Sequence, residues 1–211
     1  MGWLPAVIVL VAVAIGYANA TGASFQFDDW DVIVRDPRVQ DVASWWAAMP
    51  GMRPLLKLSY ALNHASGWGV RGFHAVNVLI HAANGLLVLA LFRRFLRQLG
   101  QPEVAAGWMA LAAALVFVLH PVQTEAVTYA SGRSASLSVL FAFGSLAAWA
   151  EGRARGNRLL ALVVSPGLML AGIATKETAV IVPAVLLLWA AADVSRPWSW
   201  RDALRATAVH W

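Results

Sequence analysis

Six mostly apolar stretches, at 3–20, 73–92, 104–119, 134–150, 159–175 and 179–192, dominate this chain. A helix that crosses a bilayer needs about 20 mostly apolar residues, with a lower bound of about 17. The pattern therefore predicts an all-α, polytopic transmembrane bundle of about six spans. Several stretches are short, which implies tilt, local thinning or burial within a larger bundle. Composition excludes the alternatives. Of 211 residues, 60% are hydrophobic and 13% charged, about half the roughly 25% charged residues of soluble domains. A water-soluble fold of this size could not cover so much apolar surface, and a disordered chain would not carry it. Without cysteine there is neither a disulfide scaffold nor a thiolate metal site.

The net charge is +5, with fourteen of the sixteen bases being Arg, in small groups between apolar runs. No basic stripe with interleaved aromatics emerges, so no nucleic-acid partner is expected. With the amino terminus inside, the loops on its side carry nine bases (Arg93, Arg94, Arg97, Arg153, Arg155, Arg158, Arg196, Arg201, Arg205) against four acids (Glu103, Glu151, Asp193, Asp202). The other side balances seven bases with seven acids. The positive-inside rule then puts the amino terminus in the cytoplasm and loop 21–72 outside. Ala18-Asn19-Ala20 looks like a signal-peptidase site, but no Lys or Arg precedes the apolar run. An uncleaved first helix is expected.

The external loop is acidic, with Asp28, Asp29, Asp31, Asp36 and Asp41, followed by Trp45, Trp46 and Met49 as residues suited to the headgroup region. From 53 to 64 the pattern turns amphipathic. Arg53, Lys57, Tyr60 and His64 mark one face, and Leu55, Leu58 and Leu62 another. This predicts either a helix lying on the membrane surface or a loop helix packed on its neighbours.

Ionisable groups at membrane depth are costly, about 2.5–3.5 kcal/mol each at a helix centre, and those that persist are candidates for function. His74, Asn77, His81 and Asn84 form one stripe on the second span. It either lines a polar cavity or provides hydrogen bonds between helices. Glu125, Tyr129 and Arg133 follow His120-Pro121 at steps of four, with Gly132 weakening any helix there. Arg133 could fork onto a phosphate or pair with Glu125. Lys176-Glu177 fills a very short connection, where Lys suits an anionic headgroup or simply snorkels. Asp28 and Asp29 are adjacent carboxylates among Phe25, Phe27 and Trp30. Desolvation and repulsion can split such a pair, leaving one as a general base or both as a solvated loop.

Phe-Gln-Phe-Asp-Asp at 25–29, Arg-Pro-Leu at 53–55, Ser59-Tyr60-Ala61-Leu62-Asn63 and Gly72-Phe73-His74 recur in an order that resembles one family. So do Asn77 with His81, His120-Pro121 with Thr124-Glu125-Ala126-Val127, Ser131-Gly132-Arg133, and Lys176-Glu177 before Pro183. Over residues 1–195 the chain resembles the amino-terminal membrane module of GT-C glycosyltransferases, in the branch of O-mannosyltransferase-like proteins with tetratricopeptide repeats. Residues 196–211 then form a cytoplasmic tail that starts a further segment. The resemblance implies an inverting transferase that moves a sugar, mannose in this branch, from a polyprenyl-phosphate lipid to a hydroxyl of a protein or glycan outside the cytoplasm. It implies Asp28 or Asp29 as catalytic base. Arg133, Lys176 and His120 would hold the donor phosphate. Arg53, His74, Asn77, His81, Glu125, Tyr129 and Glu177 would line the cavity. Ser134-Ala135-Ser136 stands where family members tend to have Asp. The sequence assigns no certain cofactor and no ligand spacing demands a metal, although a divalent cation could sit beside the paired carboxylates. The Arg-over-Lys and Ala/Val bias points to a bacterial inner membrane. Other classes remain open: a small transporter, or a non-catalytic lipid-binding subunit or fragment that needs a carboxy-terminal half.

Overall fold

The computed structural model describes residues 2–48, 51–192 and 199–211. Met49, Asp193 and Arg196 lie outside the described residues. Among the described residues every regular element is helical. Three stretches are long and apolar enough to cross a membrane: Leu4–Gly22, Gly69–Gln98 and Ala130–Arg155. Three shorter apolar ones, Glu103–Leu119, Leu160–Thr175 and Glu177–Ala191, complete the bundle.

In chain order, α1 is Leu4–Gly16, α2 is Val42–Ala47, α3 is Pro54–Ala65 and α4 is Gly69–Gln98. Helix α5 is Glu103–Leu119, α6 is Gln123–Thr128 and α7 is Arg133–Arg155. Helices α8 (Ser165–Thr175), α9 (Val182–Ala191) and α10 (Trp200–Thr207) follow. Each predicted apolar stretch contains one helix, with shifted ends. Helix α4 begins before 73 and runs to Gln98, about 45 Å at 1.5 Å per residue. Helix α5 stops where Pro121 forces its predecessor His120 into an extended conformation, ψ 131°. The fifth stretch starts as a π-helical turn, Leu160–Val164, because Pro166 cannot donate back into a regular α ladder.

Two apolar clusters hold the bundle. Val9, Val13, Val88, Leu111 and Val118 join α1, α4 and α5. Leu91, Leu146, Trp149, Met169 and Leu186 join α4, α7, α8 and α9. A third cluster of Ile33, Val39, Leu56, Tyr60, Phe73 and Ala130 seats the first loop on one end of the bundle. That loop is compact: Trp30–Val34 is a π-helical turn, Pro37–Val39 a 3-10 turn, and Asp41 caps α2 by accepting from the Ser44 N–H at 2.7 Å.

One local expectation changes, and for α3 the structure takes the packed alternative. Trp45 is buried and donates from Nε1 to the Pro54 carbonyl at 2.8 Å, so it is a packing residue, while Trp46 stays exposed. On α3, Tyr60 is buried and Leu62 exposed. The face bearing Arg53, Lys57 and Tyr60 turns toward the protein, because it meets Phe73 and Arg133 there.

Candidate active site

Loops distant in sequence converge at the end of the bundle where α4 begins. Arg53 and Glu177 pair at 3.0 Å across 124 residues, and the Tyr60 hydroxyl donates to the Ser131 carbonyl at 3.3 Å. Between them opens a cleft of about 710 Å³, lined by Asp28, Asp36, Arg38, Arg53, Lys57, Glu125, Tyr129 and Lys176. Two non-glycine residues with left-handed backbone stand at its edge, Phe27 (φ 44°) and Arg53 (φ 56°). Such conformations cost of order 1–3 kcal/mol and tend to cluster at functional sites.

The adjacent carboxylates have different surroundings. Asp29 is buried; its Oδ1 accepts from the Ser131 N–H at 2.7 Å and its Oδ2 from the Gln26 N–H at 3.1 Å. Asp28 is exposed and lines the cleft, with its own N–H donating to the Tyr129 hydroxyl at 2.8 Å. Of the two candidates for the base, only Asp28 lines the cleft. Both Asp29 oxygens already face N–H donors, an arrangement poorly suited to a cation shared by the pair. Among the described residues no three His, Cys, Asp or Glu side chains are grouped to hold a metal ion.

Arg133 does not open onto the cleft. It is fully buried, its Nε donating to Asn77 Oδ1 at 2.7 Å and its Nη2 to Asn63 Oδ1 at 2.7 Å and the Phe73 carbonyl at 2.9 Å. Nη1 donates to the Ser59 carbonyl at 3.1 Å, and the guanidinium stacks over Tyr60 and Phe73. With Nη1 also 3.5 Å from the Ser59 hydroxyl, all five N–H groups of this cation face protein acceptors, and carbonyl dipoles and ring faces surround its charge. Glu125 is not its partner. Helix α6 ends at Thr128, Tyr129 is extended, and a 3-10 turn at Ala130–Gly132 folds the chain back. Gly132 allows this fold because a Cβ there would lie 2.4 Å from the Glu125 carbonyl oxygen. Gly72 allows α3 to approach α4, since its Cβ would meet Asn63 Nδ2 at 2.8 Å.

The polar stripe of α4 binds helices together. Asn77 donates to the Tyr129 carbonyl at 3.0 Å, and Asn84 to the Ser136 carbonyl at 2.9 Å. His81 Nε2 stands 3.1 Å from the Val118 carbonyl, and His74 is fully buried. None of His74, Asn77 and His81 lines the cleft. His120 is also off the cleft; its Nδ1 accepts from the Val122 N–H at 3.2 Å. Glu177 holds Arg53 instead of lining the cavity.

No family model matches the chain, and no solved structure does. Curated sequences do. Over 202 residues, 85% of this chain, it is 32% identical to Protein O-mannosyl-transferase Tmtc2 of Drosophila melanogaster, covering 20% of that protein. It is 34% identical over 156 residues to TMTC2 of Mus musculus, 65% of this chain and 18% of the relative. A third, Tmtc1 of Drosophila melanogaster, is 30% identical over 200 residues, 86% of this chain and 22% of the relative. The chain is a relative of the protein O-mannosyl-transferases. It spans about a fifth of the length of these relatives.

In this O-mannosyl-transferase relative, the cations that reach the cleft are Arg38, Arg53, Lys57 and Lys176. Arg38 is held by Asp36 through a two-pronged contact at 2.7 and 2.8 Å, and Arg53 by Glu177. Among the described residues the Lys57 and Lys176 ammonium groups have no hydrogen-bond or ion-pair partner. Partial burial and the neighbouring Arg38 hold Lys57 below the usual lysine pKa. Sequence reasoning found Lys176 but assigned no role to Lys57. The available signal was its place on the Arg53–Tyr60 stripe, which turned out to face inward.

Proposed function

We propose that residues 1–195 of this chain are the membrane-embedded catalytic module of a GT-C-type, inverting glycosyltransferase. It would move mannose from a polyprenyl-phosphate lipid to a protein hydroxyl. One observation carries the reading: an exposed carboxylate, Asp28, and two unpaired ammonium groups, Lys57 and Lys176, line a single cleft at one end of a membrane bundle. Similarity to proteins named O-mannosyl-transferases supports the same reaction class.

In this reading the donor phosphate sits between Lys57 and Lys176. The acceptor hydroxyl gives its proton to the Asp28 carboxylate as its oxygen bonds to the anomeric carbon. The bond from that carbon to the phosphate oxygen breaks on the opposite face, and its electron pair leaves with the polyprenyl phosphate. The lysines stabilise the charge that gathers there. A phosphate leaving group needs no second acid. Asp29, Arg133 and Tyr129 act as positioning residues that fix the loop carrying Asp28.

Charge balance supports a cytoplasmic amino terminus with the cleft on the external side. Composition supports a bacterial inner membrane. The test is transfer from labelled polyprenyl-phosphate mannose to acceptor peptide by the chain in lipid nanodiscs. Transfer that Asp28→Asn abolishes, with donor binding retained, supports the enzyme. Donor binding that Lys57→Gln and Lys176→Gln each weaken about tenfold, the worth of one charge-assisted hydrogen bond, supports the phosphate site. Binding without transfer favours a lipid-binding subunit, and neither one favours a transporter.

A further inference from the structure

The first loop carries an aromatic side chain whose placement burial does not account for. Phe25 sets its ring edge-on to Phe73 at 5.5 Å and to Trp30 at 6.5 Å, so it belongs to the cluster that seats the loop. Phe27, two residues on, is 82% exposed, and its backbone is left-handed at φ 44°. Glycine or asparagine would hold that conformation with less strain. A ring so open to solvent gains little from burial to offset the strain, and strained residues of this kind cluster at functional sites. The chain nevertheless carries a large ring here, directly before Asp28.

The surroundings of Phe27 indicate what the ring meets. Asp31 and Arg35 follow closely in the chain, pair at 3.2 Å and have side chains 74% and 71% exposed. Charges so open are costly in hydrocarbon, which favours water around this part of the loop. The Phe27 ring lies edge-on to Tyr129, with centroids 6.3 Å apart. Tyr129 lines the cleft, and its hydroxyl accepts the Asp28 N–H at 2.8 Å. One tyrosine thus ties the exposed ring and the Asp28 segment to the same wall. Val32 and Val122 line the cleft too, and both are exposed. Aliphatic side chains offer sugar hydroxyls no hydrogen bonds, but together with two rings they suit an apolar side chain.

We infer that Phe27 and Tyr129, with Val32 and Val122, form an acceptor subsite beside Asp28, and that its ligand is a peptide with an apolar side chain next to the hydroxyl residue. The Phe27 ring covers that side chain and so holds the hydroxyl at the Asp28 carboxylate. Phe27 is then a specificity-determining residue, and its left-handed backbone is what turns the ring out of the loop. Lys57 and Lys176 remain for the donor. Naming the peptide an acceptor rests on the sugar-transfer reading, whereas its binding needs neither donor nor transfer.

The test uses the full chain in lipid nanodiscs and measures, without donor, the binding of a short fluorescein-labelled peptide with one Thr between two Leu. The same peptide with Ser in place of both Leu is the comparison. The parent chain should bind the Leu peptide about tenfold more tightly, the worth of burying an aliphatic side chain. Phe27→Asn, which suits the left-handed backbone, should lose that preference while unfolding no earlier than the parent chain, and Phe27→Trp should keep it. Because the chain has no cysteine, Phe27→Cys offers a single site for a bimane label. Aqueous iodide should quench the label and the Leu peptide should protect it; this arm decides should Phe27→Asn fold poorly. Equal binding of the two peptides, a preference that survives in folded Phe27→Asn, or a label quenched by brominated acyl chains instead of iodide would each overturn the inference, the last by showing a membrane anchor. Transfer from labelled polyprenyl-phosphate mannose is assayed separately. A Phe27-dependent preference without transfer would keep the subsite and count against the enzyme, while transfer without the preference would keep the enzyme and overturn the subsite.

Discussion

Asp29 Oδ1 accepts the backbone N–H of Ser131 at 2.7 Å, joining residues 102 positions apart. This single bond places the first loop against the turn that leads into α7 and leaves the neighbouring Asp28 facing the cleft. Asp29→Ala would strand the Ser131 and Gln26 N–H groups, at about 1–3 kcal/mol for a buried donor left without a partner. Asp28→Asn, on the exposed side, should change stability by no more than about 0.5 kcal/mol. Thermal unfolding in detergent separates the two: the midpoint should fall for Asp29→Ala and hold for Asp28→Asn.

Arg133 is surrounded by acceptors arranged for a planar fork. Lysine keeps the charge but has three donors on a single nitrogen, which cannot reach Asn77, Asn63, Ser59 and Phe73 together. Arg133→Lys should therefore destabilise the fold by about 3–5 kcal/mol, as breaking a buried charged network does. Were Arg133 instead a surface ligand for phosphate, the variant would unfold like the parent chain and lose only donor affinity. The same unfolding experiment distinguishes the two outcomes.

Gly132 packs against the backbone of α6, where a Cβ would fall 2.4 Å from the Glu125 carbonyl oxygen and 3.0 Å from the Ala126 Cα. Backbone cannot move aside as a flexible side chain does. Gly132→Ala should cost about 1–3 kcal/mol and shift Glu125 relative to the cleft. A crosslink between cysteines introduced at Glu125 and Asp28 would register the shift as slower closure.

Asp36 reports on the acid side. Burial pushes its carboxyl up, but bonds from the Arg38 side chain and backbone, with the charges of Arg38 and Lys57, pull it lower on balance. A carboxyl whose folded pKa lies below its unfolded one contributes stability that is fully present above the unfolded value. That contribution is lost as pH falls through the folded value. The window lies below about pH 4. Between pH 7 and pH 3 the unfolding midpoint of the parent chain should drop further than that of Asp36→Asn, which has no proton to gain.

The positions of the apolar helices were legible because the bilayer allows few solutions: a chain crossing it must satisfy its backbone internally, and apolar run length then locates the helices. The purpose of the polar residues was not equally legible. A 3.6-residue period puts His74, Asn77, His81 and Asn84 on one face, but it does not say what that face meets. Here it meets the carbonyls of Val118 and Ser136, brought by α5 and α7, and of Tyr129, brought by the link before α7. The Glu125–Arg133 pairing failed for a local reason, since the helix ends at Thr128 and the extended Tyr129 breaks the register that would have aligned them. Lys57 was hidden because its helix turns the charged stripe inward, a choice made by Phe73 and Arg133 rather than by α3 itself.

All the acceptors that enclose Arg133, at Ser59, Asn63, Phe73 and Asn77, come before it in the chain. A growing polypeptide lengthens by about 5–20 residues per second. The bases of the cage are thus synthesised seconds before the cation they enclose. When the guanidinium emerges its four acceptor residues have already been synthesised, so its pairing waits for no later part of the chain.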